Sequence, residues 1–338
     1  MSIFAKTMKK ILISLCVSCI IYLSIALVLI SLPIKRIYPE ESLDFTVLKI
    51  SDVSNVPVKE STFTARDNSD LFYRSIAGDT DITLVLLHGS GAEGKYLISL
   101  AAKLNTALNI TVVIPDLRGH GESSLSNKGD VSYLGQFEHD LEDLYNHLVL
   151  KYSNPKMILG GHSSGGGLAL KYGGNISAQF DAYILLAPYL GYKAPTVRPN
   201  SGGWVQVAKR RYAGLVMLNN ITVTMFNDLP VLFFNRPKNI ENPLHADNYS
   251  YRLNESYSPQ DYVVNLQNNK KPILLLVGQN DEAFYADKFA TIFNEYAKQT
   301  ETTIISGLKH LDLISDQIAA ELISAWIDKT FIHINNNQ

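Results

Sequence analysis

The fold is decided by the glycine-rich stretch Gly160-Gly161-His162-Ser163-Ser164-Gly165-Gly166-Gly167, which follows the mainly apolar run Lys156–Leu159. Within it, the pattern Gly161-x-Ser163-x-Gly165 fits a nucleophile elbow, a strained strand-to-helix turn that holds a serine hydroxyl above a sheet. A Cβ at Gly161 or Gly165 would collide with the neighbouring strand or helix, and the Ser163 backbone is expected at positive φ. An ordinary glycine-rich loop is the alternative, so the rest of the sequence is needed to distinguish the two.

The composition is that of a folded α/β protein. The 338 residues are 46% hydrophobic and 18% charged, which supplies ample core and gives little sign of disorder. This length suits one large α/β domain with an insertion, or two small domains. The net charge of −2 argues against a nucleic-acid-binding protein, which would normally carry a basic face.

The N-terminal region contains a long apolar run. Residues Ile11–Ile34 carry no charge and are dominated by Ile, Leu and Val. At roughly 1.5 Å per residue, such a helix can cross a hydrocarbon core of about 30 Å. A cleaved signal peptide is the alternative, but its apolar region usually has about 7–15 residues and ends at small residues. We therefore expect residues 1–38 to form an uncleaved membrane anchor with a single membrane pass.

The charges that flank this run bear on its orientation. Basic residues lie on both sides of it: Lys6, Lys9 and Lys10 before, Lys35 and Arg36 after. The positive-inside rule slightly favours a cytoplasmic N-terminus, with the rest of the chain on the non-cytoplasmic side. The two cysteines, Cys16 and Cys19, lie inside the apolar run, so they provide the remaining chain with neither a disulfide nor a metal site.

After the anchor, strand-like and helix-like segments alternate. Edge strands are expected near 44–48, 61–65 and 71–74, and buried strands at 82–87, 110–114, 156–162, 181–188, 272–278 and 302–305. Helices are expected at 95–108, 133–152, 285–298 and 315–330. This alternation predicts a mostly parallel sheet covered by helices on both faces. It fails at residues 190–262, where no clear strand pattern is present. We call these residues the cap segment and expect them to interrupt a core of residues 39–189 and 263–333.

Three chemically reactive side chains follow successive predicted strands. Ser163 lies in the elbow, Asp281 follows the 272–278 strand, and His310 follows the 302–305 strand. Ligands bind at such strand ends in open α/β sheets. A serine hydroxyl needs an imidazole to take its proton, and the imidazole needs a carboxylate to hold its tautomer. We therefore expect Ser163, His310 and Asp281 to form a catalytic triad. Three other acids could compete for the carboxylate role: Glu282, Asp287 and Asp312.

An oxyanion hole is expected beside the serine. The 82–87 strand ends in His88-Gly89-Ser90-Gly91, and the backbone amide of Ser90 is a suitable donor. The amide of Ser164, directly after the nucleophile, would supply the second donor. Losing one such donor typically costs about 10²–10³ in rate.

Residues from about 60 to 330 resemble the α/β-hydrolase superfamily, in the branch of monoacylglycerol-lipase-like, lysophospholipase-like and serine aminopeptidase enzymes. The resemblance rests on the elbow, on Gly278-x-x-Asp281, on His310, and on the stretches His88–Gly91 and Asp116-Leu117-Arg118-Gly119-His120-Gly121-Glu122-Ser123. It implies an α/β-hydrolase fold with a cap. It also implies that His162 belongs to the elbow, and that three residues of the second stretch are structural: Asp116, Arg118 and His120.

The central serine favours acyl transfer to water, because relatives that open epoxides or displace halides carry Asp at this position. The sequence contains no nicotinamide or P-loop fingerprint and no convincing metal spacing, so no cofactor and no metal is expected. The first hypothesis is therefore a membrane-anchored hydrolase of a lipid-like carboxylic ester, such as a monoacylglycerol or lysophospholipid. Cap aromatics that could line its substrate site are Trp204, Phe226 and Phe233.

Two other functions remain open. An aminopeptidase or amidase would need an acidic anchor for a free amine, which Glu241 or Glu255 could provide. A non-catalytic, membrane-tethered binding module is the third possibility, although such proteins usually lose the serine or the histidine. Basic residues outnumber acidic ones in the cap segment, which fits either contact with anionic lipid headgroups or an ordinary solvated surface.

Overall fold

An eight-stranded sheet organises the part of the chain that the computed structural model describes, which comprises residues 3–38, 43–45, 56–123, 128–153, 155–237 and 242–332. The strands of this sheet are β1 (Lys59–Thr64), β2 (Asp70–Ile76), β3 (Ile82–Leu87), β4 (Thr111–Pro115), β5 (Lys156–His162), β6 (Ala182–Leu186), β10 (Ile273–Gly278) and β11 (Thr300–Ile305). Three further strands, β7 to β9, form a separate sheet described below.

The sheet is mostly parallel, as the alternation of strands and helices predicts. Its spatial order is β1-β2-β4-β3-β5-β6-β10-β11. The six strands from β4 to β11 run parallel, whereas β1 and β2 pair antiparallel at one edge. Every residue of β3 is buried because both faces of the sheet are covered. Asp44 and Phe45 are not in a strand, and the rest of the 44–48 strand prediction lies outside the described residues.

Nine α-helices are present in the described ranges. They are α1 (Ile3–Ser31), α2 (Ile98–Leu108), α3 (Gln136–Lys151), α4 (Ser164–Gly173), α5 (Lys209–Asn219), α6 (Tyr251–Tyr257), α7 (Tyr262–Asn268), α8 (Ala286–Tyr296) and α9 (Gln317–Ile327). The first residues of the helix expected at 95–108 form a 3₁₀ turn, Gly94–Leu97, and the α-helix itself begins at Ile98. Helix α3 begins later than expected because Gly135 has φ 88°. The four helices predicted outside the anchor are confirmed, with shorter bounds.

The cap segment contains regular structure that the sequence pattern did not predict. Strands β7 (Val205–Val207), β8 (Pro230–Phe234) and β9 (Asn248–Ser250) form an antiparallel sheet. The sequence shows no clear repeating strand in this segment, so these three strands add to what the pattern predicts. Its strands have three to five residues, which is too short for a recognisable alternation of apolar and polar positions.

The N-terminal helix α1 packs against the cap segment at its C-terminal end. Ala26 and Ile30 are buried against Leu215 and Leu218 of α5, whereas most of the helix is exposed. Residues Lys6–Ser31 form a helix that is long and apolar enough to span a membrane. The helix ends just before Pro33, which cannot continue its hydrogen-bond pattern.

Candidate active site

Ser163 occupies a strained turn between β5 and α4. Its backbone has φ 55° and ψ −119°, and its amide donates to the Leu186 carbonyl at 2.9 Å. A Cβ on Gly161 would lie 2.3 Å from the Gly165 carbonyl carbon, and one on Gly165 would lie 2.4 Å from the His88 carbonyl oxygen. Both glycines are thus required by backbone-to-backbone contact. The predicted elbow geometry is confirmed, and the ordinary-loop interpretation is wrong.

Asp281 and His310 meet through their side chains beyond the ends of β10 and β11. His310 Nδ1 lies 2.8 Å from Asp281 Oδ2, and each residue is only 1% exposed. The other carboxylate oxygen, Asp281 Oδ1, accepts hydrogen bonds from the amides of Ala283 and Phe284, both at 2.8 Å. These amides fix the carboxylate, and the carboxylate in turn fixes the imidazole.

The electrostatics of this pair determine the protonation of His310. Burial by itself lowers the pKa of His310, but the charge of Asp281, its hydrogen bond and the charge of Glu282 together outweigh that effect. The net result is a pKa raised above 6.5. Because Nδ1 donates to the carboxylate, Nε2 of the neutral ring is the proton acceptor.

The three competing acids occupy other positions. Glu282 accepts a hydrogen bond from the His310 amide at 2.9 Å, so it contacts the backbone rather than the ring. Asp312 accepts from the Lys309 amide at 2.7 Å. Asp287 lies in α8 with its side chain 71% exposed. Among the described residues, Asp281 is therefore the carboxylate that contacts the His310 ring.

The loop after β3 lies next to Ser163. A Cβ on Gly89 would be 3.3 Å from Ser163 Cβ, and Ser90 lines the same cavity as Ser163. The Ser90 amide donates to no acceptor in the described part of the chain. Ser164 is the first residue of α4, where amides lack a partner within the helix. The role of these two amides as oxyanion donors stays a prediction.

The cavity at Ser163 combines apolar and basic side chains. Its lining consists of Leu43, Phe45, Gly89, Ser90, Ala92, Tyr96, His162, Ser163, Trp204, Arg236, His245, His310 and Leu311. No carboxylate is among these described residues. Leu43, Phe45, Tyr96, Arg236 and His245 were not singled out from the sequence, because no motif surrounds them.

Of the three cap aromatics proposed as lining, Trp204 reaches the cavity. Its Nε1 donates to Ser90 Oγ at 3.2 Å, and its ring stacks on Phe234 with centroids 5.2 Å apart. Phe226 instead packs in the cluster between α1 and α5, and Phe233 lies beneath the Arg36 guanidinium, 4.9 Å away. Phe226 and Phe233 are not among the residues that line this cavity.

A hydrogen-bonded chain links the Ser90 loop to His310 through Tyr96 and His162. The Gly89 amide donates to Tyr96 Oη at 2.6 Å, Tyr96 Oη lies 3.0 Å from His162 Nδ1, and His162 Nε2 lies 3.1 Å from the His310 carbonyl oxygen. A carbonyl only accepts, so His162 carries its proton on Nε2 and accepts from Tyr96 at Nδ1. Burial, followed by the charge of His310, holds the pKa of His162 well below 6.5, so this ring stays neutral.

The cap segment holds the loop that carries Ser90. Tyr257 Oη donates to the His88 carbonyl at 2.5 Å, and Arg236 Nη2 donates to the Gly91 carbonyl at 2.6 Å. The Gly91 amide donates to Tyr249 Oη at 2.7 Å. With the Trp204 bond, four hydrogen bonds from the cap segment fix His88–Gly91.

The three residues interpreted as structural lie outside the cavity lining. Asp116 accepts from Arg74 and from the Gly94 amide, both at 2.7 Å. Arg118 forms two hydrogen bonds with Asp140, and His120 contacts Tyr249 Oη at 2.6 Å. All three are buried, so they brace the loop that follows β4.

Of the two acids considered as an amine anchor, Glu255 is described by the structure. Glu255 Oε1 accepts hydrogen bonds from Tyr212 Oη and from Asn254 Nδ2 and does not line the cavity. Glu241 lies outside the described residues. Among the residues that the structure describes, no group of three or more His, Cys, Asp or Glu could hold a metal ion.

Comparison with known proteins identifies the family. Residues 78–317 match the family described as Serine aminopeptidase, S33, and the chain belongs to that family. This confirms the resemblance inferred from the elbow and the strand-end motifs, and with it the α/β-hydrolase fold.

Three of the proteins similar to this chain are a curated relative and two solved structures. A probable protein phosphatase methylesterase 1 from Caenorhabditis elegans is 35% identical over 31% of this chain and 29% of its own length. The chain therefore matches about a third of the length of such curated relatives. A soluble variant of monoglyceride lipase from Saccharomyces cerevisiae aligns with TM-score 0.66, at 17% identity over 83% of this chain and 97% of its own. A bacterial membrane phospholipase A aligns with TM-score 0.57, at 17% identity over 97% of this chain and 99% of its own.

Proposed function

We propose that this protein is a membrane-anchored serine hydrolase that cleaves a carboxylic ester of a lipid through Ser163, His310 and Asp281. The observation that carries the proposal is the buried His310–Asp281 pair beside a cavity that Ser163 also lines. A buried imidazole aligned by a fixed carboxylate, next to a serine held at positive φ, is the arrangement that acyl transfer needs.

The reaction follows from these positions. His310 Nε2 takes the proton of Ser163 Oγ as this oxygen attacks the ester carbonyl. Asp281 holds the Nδ1–H tautomer and stabilises the imidazolium that forms. The Ser90 and Ser164 amides donate to the oxyanion, and the imidazolium then protonates the leaving alcohol. Water, deprotonated by His310, hydrolyses the acyl-enzyme and restores Ser163.

The cavity lining favours a lipid ester over a peptide. The described lining contains Leu43, Phe45, Ala92, Trp204 and Leu311 and no carboxylate, so nothing there would hold a free amine. A mainly apolar cavity suits an acyl chain. Similarity to proteins described as a monoglyceride lipase and a membrane phospholipase A supports the same substrate class.

Packing supports retention of α1 as a membrane anchor. Removing it as a signal peptide would uncover the apolar surface of Leu215 and Leu218, which Ala26 and Ile30 now bury. The lysines before the apolar run set one boundary of the span, because each lysine at the centre of a bilayer costs about 2.5–3.5 kcal/mol. The same lysines slightly favour a cytoplasmic N-terminus, with the active site on the opposite side.

The proposal is tested by ester hydrolysis with the full-length chain in detergent micelles. We expect turnover of monoacylglycerols or lysophospholipids by the wild type, its loss in Ser163→Ala, and full activity in Ser306→Ala, a control at an exposed serine after β11. Faster turnover of aminoacyl-naphthylamides would indicate an aminopeptidase. A folded wild type that hydrolyses neither class would indicate a binding module.

A further inference from the structure

Helix α5 of the cap segment lies antiparallel against the C-terminal part of α1. At one end of the contact, Arg211 Nε donates to the Ile30 carbonyl at 3.3 Å. At the other end, Tyr22 Oη donates to the Met217 carbonyl at 2.9 Å. Between them, a Cβ on Gly214 would come within 2.8 Å of α1, so only glycine permits this approach. The two helices are therefore in register over most of α5.

This pairing fixes the position of α5 relative to the membrane-spanning part of α1. Tyr22 lies eight residues before Ile30, which is about 12 Å along the helix axis. A hydrocarbon core needs about 20 apolar residues, so the whole run from Ile11 to Ile30 is required to cross it. Sliding the span toward the N-terminus would bury Lys9 and Lys10 instead. If α1 spans the bilayer as proposed above, the C-terminal half of α5 lies beside it below the membrane surface.

The cap segment changes from basic to uncharged residues at the expected membrane surface. Lys209, Arg210 and Arg211 begin α5, next to the point where Lys35 and Arg36 follow α1. The next sixteen residues, Tyr212–Asn227, contain no charged side chain. This segment, which we call the uncharged cap segment, includes Ile221 and Met225, whose exposed fractions are 42% and 76%. Cations at the headgroups and uncharged residues below them are the pattern of an interfacial insertion.

Internal hydrogen bonds satisfy many of the polar groups in this segment, as a position in lipid requires. Asn219 and Asn227 bond to each other twice, at 2.7 and 2.9 Å, and Asn219 Nδ2 also donates to the Leu215 carbonyl at 2.8 Å. Backbone amides after α5 find carbonyls within the segment, for example that of Val223 on Leu218.

We propose that the uncharged cap segment is inserted into the lipid bilayer beside α1, with Lys209–Arg211 at the headgroups. The protein is then attached to the membrane at two places: through α1, which packs against the cap segment, and through residues 212–227 of the cap segment itself. Because the same cap segment fixes the His88–Gly91 loop through Trp204, Arg236, Tyr249 and Tyr257, the Ser163 cavity is held next to the headgroup layer. The substrate is accordingly a lipid that resides in the bilayer.

The experiment measures the depth of single fluorescent labels in phosphatidylcholine proteoliposomes. An environment-sensitive probe is attached at Met225→Cys in a full-length chain that also carries Cys16→Ser and Cys19→Ser. The control label is at Leu150→Cys. Leu150 is 84% exposed at the end of α3, which lies before the start of β5, whereas Ser163 follows the end of β5. Native Cys16 and Cys19, both exposed on α1, report separately on the anchor. Quenching by doxyl-lipids is compared with quenching by a water-soluble quencher.

We expect doxyl-lipids to quench the labels at residue 225 and on α1, and the water-soluble quencher to reach residue 150 alone. If the α1 labels are quenched by lipid but residue 225 behaves like residue 150, the insertion is wrong and the anchor stands. If the α1 labels are themselves quenched only from water, the anchor is wrong, and the insertion that rests on it is wrong as well.

Discussion

His162 contacts His310 twice: His162 Nε2 lies 3.1 Å from the carbonyl oxygen of His310, and the centroids of the two rings are 4.6 Å apart. The hydrogen bond holds the backbone of His310, the proposed base, against a neutral, buried ring. Through Tyr96, the same ring is connected to the Gly89 amide beside Ser90. The base and the expected oxyanion donor are thus positioned by one chain of hydrogen bonds.

Replacing the Tyr96 hydroxyl should break this chain. In Tyr96→Phe, the Gly89 amide and His162 Nδ1 lose their partners, which costs about 1–3 kcal/mol for each buried group left unpaired. We expect kcat to fall about tenfold, equivalent to about 1.4 kcal/mol, with KM nearly unchanged. Ester hydrolysis and urea unfolding measure both effects. Tyr192→Phe is the control, because this side chain is exposed. Equal kcat in Tyr96→Phe and wild type would show that the chain does not position the site.

The raised pKa of His310 predicts the acid side of the pH profile. The ring must be neutral to accept the serine proton, so kcat/KM should fall as pH drops through a pKa that lies above 6.5. In Asp281→Asn, burial still lowers the pKa of His310, while the charge of Asp281 that raises it is gone and only the charge of Glu282 remains. The acid limb should move to lower pH, and kcat should fall on the order of 10⁴. Asp287→Asn, at an exposed acid, should leave the profile unchanged. An acid limb that stays at the same pH in Asp281→Asn would contradict the assignment.

The elbow glycines predict a coupled loss of stability and activity. Gly165→Ala brings a Cβ within 2.4 Å of the His88 carbonyl, and overpacking of this kind typically costs about 1–3 kcal/mol. The strain acts between Ser163 and the Ser90 loop, so activity should fall with the free energy of unfolding. Gly135→Ala is the control, because a Cβ there meets no atom within 4 Å. Its only cost in stability is the backbone strain of an alanine at φ 88°, so its activity should remain. Activity retained in Gly165→Ala would mean that this contact does not set the geometry of the site.

The sequence predicted what depends on local patterns. The elbow follows from glycine sterics within a few residues, and Asp281 and His310 follow from their places after predictable strands. Leu43 and Phe45 could not be found in this way, because they lie far in the chain from the motifs of the site. Tyr96 belongs to no motif, and its contact with His162 joins residues 66 apart in the chain. Trp204 lines the cavity, whereas Phe226 packs at the contact between α5 and α1, and composition alone does not distinguish these two positions.

The central claim is that Ser163 is the nucleophile. It is tested most directly by treating the full-length chain with a fluorophosphonate and locating the adduct by mass spectrometry of the peptides. We predict a single adduct on Ser163, formed by the wild type and by Ser306→Ala, and much slower in His310→Ala. An adduct on another residue, or equal labelling of Ser163→Ala and wild type, would contradict the account.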